Sequence, residues 1–280
     1  MVSKTNSIKY IAEIGLNHNG SIEVAKKHIE EAKLAGATTA KFQTYFADTR
    51  VNKDSPIYEI LKKCELNIEE FLELADFCKE LDIEFASTPF CVGSFETLKQ
   101  VNCSFIKIPS FHLSNFELLN KVFLESKCND IIISTGVSSF NEILNTNHFY
   151  NNIKMENKPN LTFMHCVSEY PVSSIDNLNL INIKEIAEQT KKDVGFSDHS
   201  IGFLAPSHAV SLGARVIEKH FTIDNSLEGA DHAMSANPKT FKEMVLKCNE
   251  VFKMLGQKRN DYIHFDCEKN TVPYIVKSEK

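Results

Sequence analysis

The chain has 280 residues, 42% of them hydrophobic and 24% charged, and 31 basic against 37 acidic side chains give a net charge of −6. Such a composition excludes collagen-like, disulfide-scaffold and disordered classes, and the mild acidic excess argues against a nucleic-acid binder with its basic patch. None of the eight cysteines forms a CxxC pair, the opening MVSKTNSIKY lacks the apolar stretch of an export signal, and no run nears the ~20 apolar residues that span a bilayer. These features lead us to expect a protein of the reducing cytoplasm.

In chain order, residues 8–16 read as a strand and 22–35 as a helix, with Ile22, Ala25, Ile29 and Ala32 on one stripe and Gly36 closing it. A strand follows at 37–44, then an insertion at 46–67 that is long for a βα loop and is expected to lean over a site as a lid. Further strands are predicted at 83–90 and 104–110. The helix at 115–126 has Asn115 as its cap and Phe116, Leu119, Val122 and Phe123 on one face. Beyond it the pattern predicts strands at 130–136, 161–167, 194–199 and 215–222, alternating with helices at 138–144, 183–189 and 201–212. A last helix at 238–255 has Asn237 as its cap and Pro238 at the first position. Eight alternating β and α segments imply parallel strands with crossover helices, and the length suits a (β/α)₈ TIM barrel over residues 1–256 with a polar tail at 257–280. The first βα turn, GLNHNG, is not the GxGxxG of a dinucleotide-binding open sheet.

Polar side chains gather at the C-terminal end of nearly every strand: Glu13, Asn17, Lys41, Gln43, Ser87, Thr88, Lys107, Ser110, Ser134, His165, Ser168, Ser197, Asp198, His199, Glu218 and His220. Barrel sites lie on that rim. Lys41 and Lys107 with the serines suit a phosphate or carboxylate. His199 and His220 close adjacent strands, and with Asp198, Glu218 and Asp231 nearby they suit a divalent cation with open positions. Cys166 and His165 are consecutive on a strand and face opposite ways, so Cys166 reads as core. HExxH, GxSxG and Walker A patterns are all absent from the chain.

The segments YIAEIGLNHNGS, AKFQT, FASTPF, IKIPS, ISTG, HCVSEYP, GFSDHS and EKHFT, in that order, resemble the sialic acid synthase family. The resemblance implies condensation of phosphoenolpyruvate with an aldose such as N-acetylmannosamine to give a 2-keto-3-deoxy acid and phosphate, in a homodimer. It implies that His199 and His220 hold a divalent metal, usually manganese. Lys41, Lys107, Ser110, Ser134, Tyr170 and Ser197 then match the residues around phosphoenolpyruvate. Glu13, Gln43 and Asp231 match positions near the metal-bound water and the sugar. His112 stands where the family carries a sugar-binding glutamate, Ser168 replaces an asparagine, and the stretch after Leu255 is too short for the family's C-terminal antifreeze-like domain. The acceptor is therefore expected to differ from N-acetylmannosamine. Two other readings stay open: a Schiff-base pyruvate aldolase using Lys107 or Lys41, and a non-catalytic sugar-phosphate-binding homologue.

Overall fold

A computed structural model describes residues 7–256. Eight parallel strands close into a barrel in sequential order. They are β1 Lys9–Gly15, β2 Thr39–Thr44, β3 Glu84–Pro89, β4 Phe105–Ile108, β5 Asp130–Ser134, β6 Asn160–Cys166, β7 Asp193–Asp198 and β8 Val216–His220. Closure is made by β1, which pairs with β2 on one side and β8 on the other. The (β/α)₈ barrel expected from the alternation is the fold found.

The helices are α1 Ile22–Leu34, α2 Ala47–Arg50, α3 Tyr58–Lys63, α4 Ile68–Glu80, α5 Val92–Leu98, α6 Phe116–Glu125, α7 Phe140–Asn152, α8 Asn182–Thr190, α9 Leu204–Ser211 and α10 Pro238–Leu255. Side-chain caps start several of them: Ser21 on α1, Asn115 on α6 and Asn237 on α10. Neither α4 nor α5 is among the expected helices. Yet Asn67 and Glu70 form a reciprocal capping box on α4, the N-x-x-E signature of a helix start. Among the described residues no helix is long and apolar enough to cross a membrane. The tail expected at 257–280 lies outside the described residues.

Because side chains alternate along a strand, each strand stacks its inward residues in layers. Ile11, Ala86, Phe105, Ile132 and Met164, with Val216 against them, plug the barrel's lower interior. Two residues further along, the same inward faces carry Glu13, Thr88, Lys107, Ser134, Cys166 and Glu218. The outward faces pack on the helices in one large cluster that includes Phe42, Phe85, Phe123, Phe163, Phe196 and Phe241. The polar layer thus stands on an apolar floor, at the end where the strands' C-termini open.

The insertion at 46–67 folds as α2 and α3 rather than as an irregular loop. Leu16, Tyr45, Ala47, Leu61 and Cys64 form a buried cluster of their own beneath it, and the Tyr45 hydroxyl donates to the Leu61 carbonyl at 2.9 Å. Such packing fixes the insertion on the rim.

Candidate active site

The register of β1 sets the site. Glu13 lies opposite Lys41 of β2 and His220 of β8, so a carboxylate, an ammonium and an imidazole are neighbours by backbone pairing alone. Lys41 and Lys107 are both buried. The Lys41 Nζ lies 2.5 Å from Glu13 Oε2 and 3.5 Å from Glu218 Oε2, and it donates to Thr88 Oγ1 at 3.1 Å. Across the barrel, Lys107 Nζ donates to Glu218 Oε1 at 2.9 Å, as does Ser197 Oγ at 2.9 Å. Burial pulls the Lys41 pKa down, but Glu13 and Glu218 outweigh it and hold the lysine above its ordinary value. For Glu218 burial pushes upward, and Lys107 and Lys41 overcome it, keeping the carboxyl well below the usual range.

Above this layer His199 and His220 face one another with ring centroids 5.9 Å apart. The Tyr170 ring packs on His199 at 4.1 Å and meets His220 edge-on. His199 Nδ1 lies 2.5 Å from the Val167 carbonyl; a carbonyl only accepts, so Nδ1 carries the proton. Burial, reinforced by His220, lowers the His199 pKa to about 3. A neutral ring with its Nδ1 proton committed leaves Nε2 as a lone-pair donor, the form in which imidazole binds metals. The Nδ1 of His220 is buried without a hydrogen-bond partner, with Asp231 Oδ2 3.6 Å away. Among the described residues no group of three or more His, Cys, Asp or Glu side chains is arranged to hold a metal. A cation placed between the two histidine rings would draw on two nitrogen donors from them.

These side chains line one cavity of about 360 Å³, in the range of small-molecule sites. Glu13, Lys41, Gln43, Lys107, Ser110, Ser134, Tyr170, Ser197, His199, His220 and Asp231 all border it. Two glycines keep it open. A Cβ on Gly15, whose φ is +55°, would lie 3.2 Å from Gln43 Nε2 and 3.3 Å from Glu13 Oε1. One on Gly136 would lie 2.5 Å from Ser168 Oγ and 2.7 Å from Cys166 Sγ, beside the Gly136 N–H that donates to Ser110 Oγ at 2.9 Å.

Three expectations need correction. His112 does not border the cavity: its Nε2 donates to the Phe90 carbonyl at 2.9 Å and its Nδ1 accepts from Asn115 Nδ2 at 3.3 Å. The short 3₁₀ turn Ser110–His112 turns Ser110 inward and Phe111 onto the mouth, and spends both His112 nitrogens on its neighbours. Asp198 is not near the histidine pair's open side. It points outward, fully buried, and binds Lys219 Nζ at 2.6 Å. Cys166 is buried but borders the cavity, its Sγ 3.3 Å from Ser110 Oγ, while His165 is the one that faces out, held to the Leu178 carbonyl. Arg50, Phe90 and Phe111 also line the cavity and are absent from the expected set. Arg50 ends the short helix α2, Phe90 lies one residue past β3 and Phe111 sits in the 3₁₀ turn after β4, all outside the strands whose inward faces pointed to the site.

A model of the NeuB family matches residues 28–260. An N,N'-diacetyllegionaminic acid synthase of Legionella pneumophila is 38% identical over 264 residues, covering 88% of this chain and 72% of the relative. The pseudaminic acid synthase of Campylobacter jejuni is 35% identical over 265 residues, covering 90% and 76%. Among solved structures, an N-acetylneuraminic acid (sialic acid) synthetase of Leptospira borgpetersenii, in complex with citrate, superposes with a TM-score of 0.87 at 33% identity, over 96% of this chain and 91% of that one.

Proposed function

Because the chain belongs to the NeuB family, with sialic, legionaminic and pseudaminic acid synthases among its relatives, we propose that it condenses phosphoenolpyruvate with an aldose to form a 2-keto-3-deoxy sugar acid and release phosphate. The observation that carries this reading is the pair of buried lysines converging on Glu218 beneath the cavity. Two buried lysines, each in contact with a carboxylate and ringed by Ser110, Ser134 and Ser197, suit a ligand bearing both a phosphate and a carboxylate. Glu13 and Glu218 stand in for that ligand until it arrives.

In the reaction, C3 of phosphoenolpyruvate bonds to the aldehyde carbon of the acceptor, water adds at C2, and phosphate leaves with its bridging oxygen. Lys41 and Lys107 hold the phosphate and carboxylate so that C3 faces the mouth, and they offset the charge of the departing phosphate. Glu13, anchored by Gln43 Nε2 at 3.0 Å, is the carboxylate placed to move a proton between the bound molecules, and Gln43 and Asp231 offer hydrogen bonds to sugar hydroxyls. His199 and His220 would hold a divalent cation such as manganese, which when bound supplies Lewis-acid polarisation of the acceptor's carbonyl. Tyr170, packed on His199, fixes that ring's orientation. A Schiff-base lyase needs a deprotonated lysine, and the carboxylates around Lys41 oppose that state.

The test is a phosphate-release screen with phosphoenolpyruvate, manganese and a panel of four- to six-carbon aldoses, on wild type, Lys41→Met and Lys107→Met. Release by wild type with at least one aldose, and much weaker phosphoenolpyruvate affinity in both variants, is expected. No release with any aldose overturns the reading.

A further inference from the structure

We propose that Arg50 is a specificity-determining residue that receives an oxyanion, phosphate or carboxylate, carried by the acceptor sugar. The inference rests on the synthase reading above and adds the chemical class of the acceptor.

Arg50 ends α2 on the insertion and reaches back into the cavity wall. Its guanidinium carbon lies 3.7 Å over the Phe90 ring and 4.5 Å from that of Tyr45, so the aromatic pair holds the group in place and leaves its N–H edge for polar partners. One donor goes to Gln43 Oε1 at 3.1 Å. Among the described residues no carboxylate lies within 4.0 Å of the guanidinium, unlike Lys41 and Lys107, which are both paired with carboxylates. Glu13 already has Lys41 in contact, and Asp231 has His220 at 3.6 Å. Arg50 is thus the cavity cation without a counter-charge in contact, and burial draws its pKa down.

Its height separates it from the phosphoenolpyruvate lysines. Gln43, its partner, is two residues beyond Lys41 on β2, about 7 Å closer to the mouth at the usual strand rise. An anion bound at Arg50 is therefore a second one, on the molecule entering above phosphoenolpyruvate. A planar fork of donors, pre-oriented by stacking, is the arrangement that captures carboxylate or phosphate.

The experiment measures phosphate release for matched acceptors: a neutral aldose, its terminal phosphate ester and its uronic acid, with wild type, Arg50→Met and Arg50→Lys. Wild type is expected to favour an anionic member over the neutral one, and the phosphate and carboxylate arms identify the source of the oxyanion. Arg50→Met should raise KM for that anionic acceptor by about tenfold or more, the worth of a charge-assisted bond, with little change in KM for phosphoenolpyruvate. Arg50→Lys, keeping charge but not the fork, should fall between. Equal use of neutral and anionic acceptors by wild type, an unchanged preference in Arg50→Met, or a rise confined to the phosphoenolpyruvate KM overturns the Arg50 assignment while leaving the synthase reading intact. Absence of phosphate release from wild type with every acceptor overturns both.

Discussion

Glu218→Gln tests the charge arrangement at the barrel's centre. Glu218 accepts hydrogen bonds from Lys107 and Ser197 at 2.9 Å each and has Lys41 at 3.5 Å. The amide keeps the shape and can still accept from one donor, but it removes the charge between two buried ammonium groups. Lys41 retains Glu13 at 2.5 Å, whereas Lys107 has no other carboxylate within 4.0 Å among the described residues. Breaking a buried pair on one side costs about 3–5 kcal/mol, and the remaining acceptor atom places this variant near the lower end. The carboxyl's folded pKa is depressed, because Lys107 and Lys41 outweigh the upward push of burial. Its stabilisation is therefore complete above the ordinary carboxylate range and is lost only as pH falls through the depressed value. Urea denaturation should show a difference from wild type of roughly 3 kcal/mol, flat around neutral pH and shrinking in strong acid. Inorganic phosphate, by supplying the missing charge, should stabilise Glu218→Gln more than wild type; a ligand at a hundredfold its Kd adds about 2.7 kcal/mol. A variant within about 0.5 kcal/mol of wild type, inside the usual surface-substitution range, would refute the reasoning, as would equal stabilisation of both proteins by phosphate.

His199→Ala and His220→Ala should each abolish manganese binding in calorimetry while leaving the circular dichroism spectrum unchanged; retained binding in both would remove the metal assignment. Gly136→Ala should push Ser168, Cys166 and Ser110 aside, lower stability by about 1–3 kcal/mol through overpacking, and weaken phosphoenolpyruvate by about tenfold through loss of a charge-assisted bond to Ser110; urea denaturation and calorimetry check the two effects, and unchanged affinity would sink the role given to Ser110. His18 and His28 have pKa values lowered to about 4, chiefly by burial. Between that value and their ordinary 6.5 the unfolded chain binds more protons than the folded one, so stability rises with pH across the window. The unfolding free energy should fall by roughly 1–2 kcal/mol per histidine from pH 7 to pH 5, and His28→Gln should lessen the slope; an unchanged slope would contradict the burial argument.

The alternation of short apolar runs with helical stripes made the barrel legible in the sequence, because strands buried on both faces are near-continuous apolar runs whose polar exceptions gather at one end. Lys41, Lys107, Glu218, His199 and His220 announced themselves as such exceptions, and the structure brings all five to one cavity. Which way a polar residue faces was harder to read. Asp198 and His165 sit at strand ends like the others, but their neighbours Ser197 and Cys166 hold the inward positions, so both face the helix layer. His112 lies beyond the last residue of β4, where a 3₁₀ turn replaces strand alternation. Arg50 was illegible for a related reason. Its place in the cavity depends on the packing of α2 and α3 over Leu16 and Tyr45, a tertiary contact without a local pattern.

The most direct test of the synthase reading supplies the protein with manganese, an aldose it accepts, and either phosphoenolpyruvate or pyruvate, follows the keto acid by mass spectrometry, and adds borohydride only to parallel samples that hold the protein and pyruvate without aldose. The arrangement of Lys41 and Lys107 against Glu13 and Glu218 predicts keto acid only from phosphoenolpyruvate, one phosphate for each molecule formed, and no adduct on either lysine. Keto acid from pyruvate, with a borohydride-trapped adduct at Lys41 or Lys107, would contradict it.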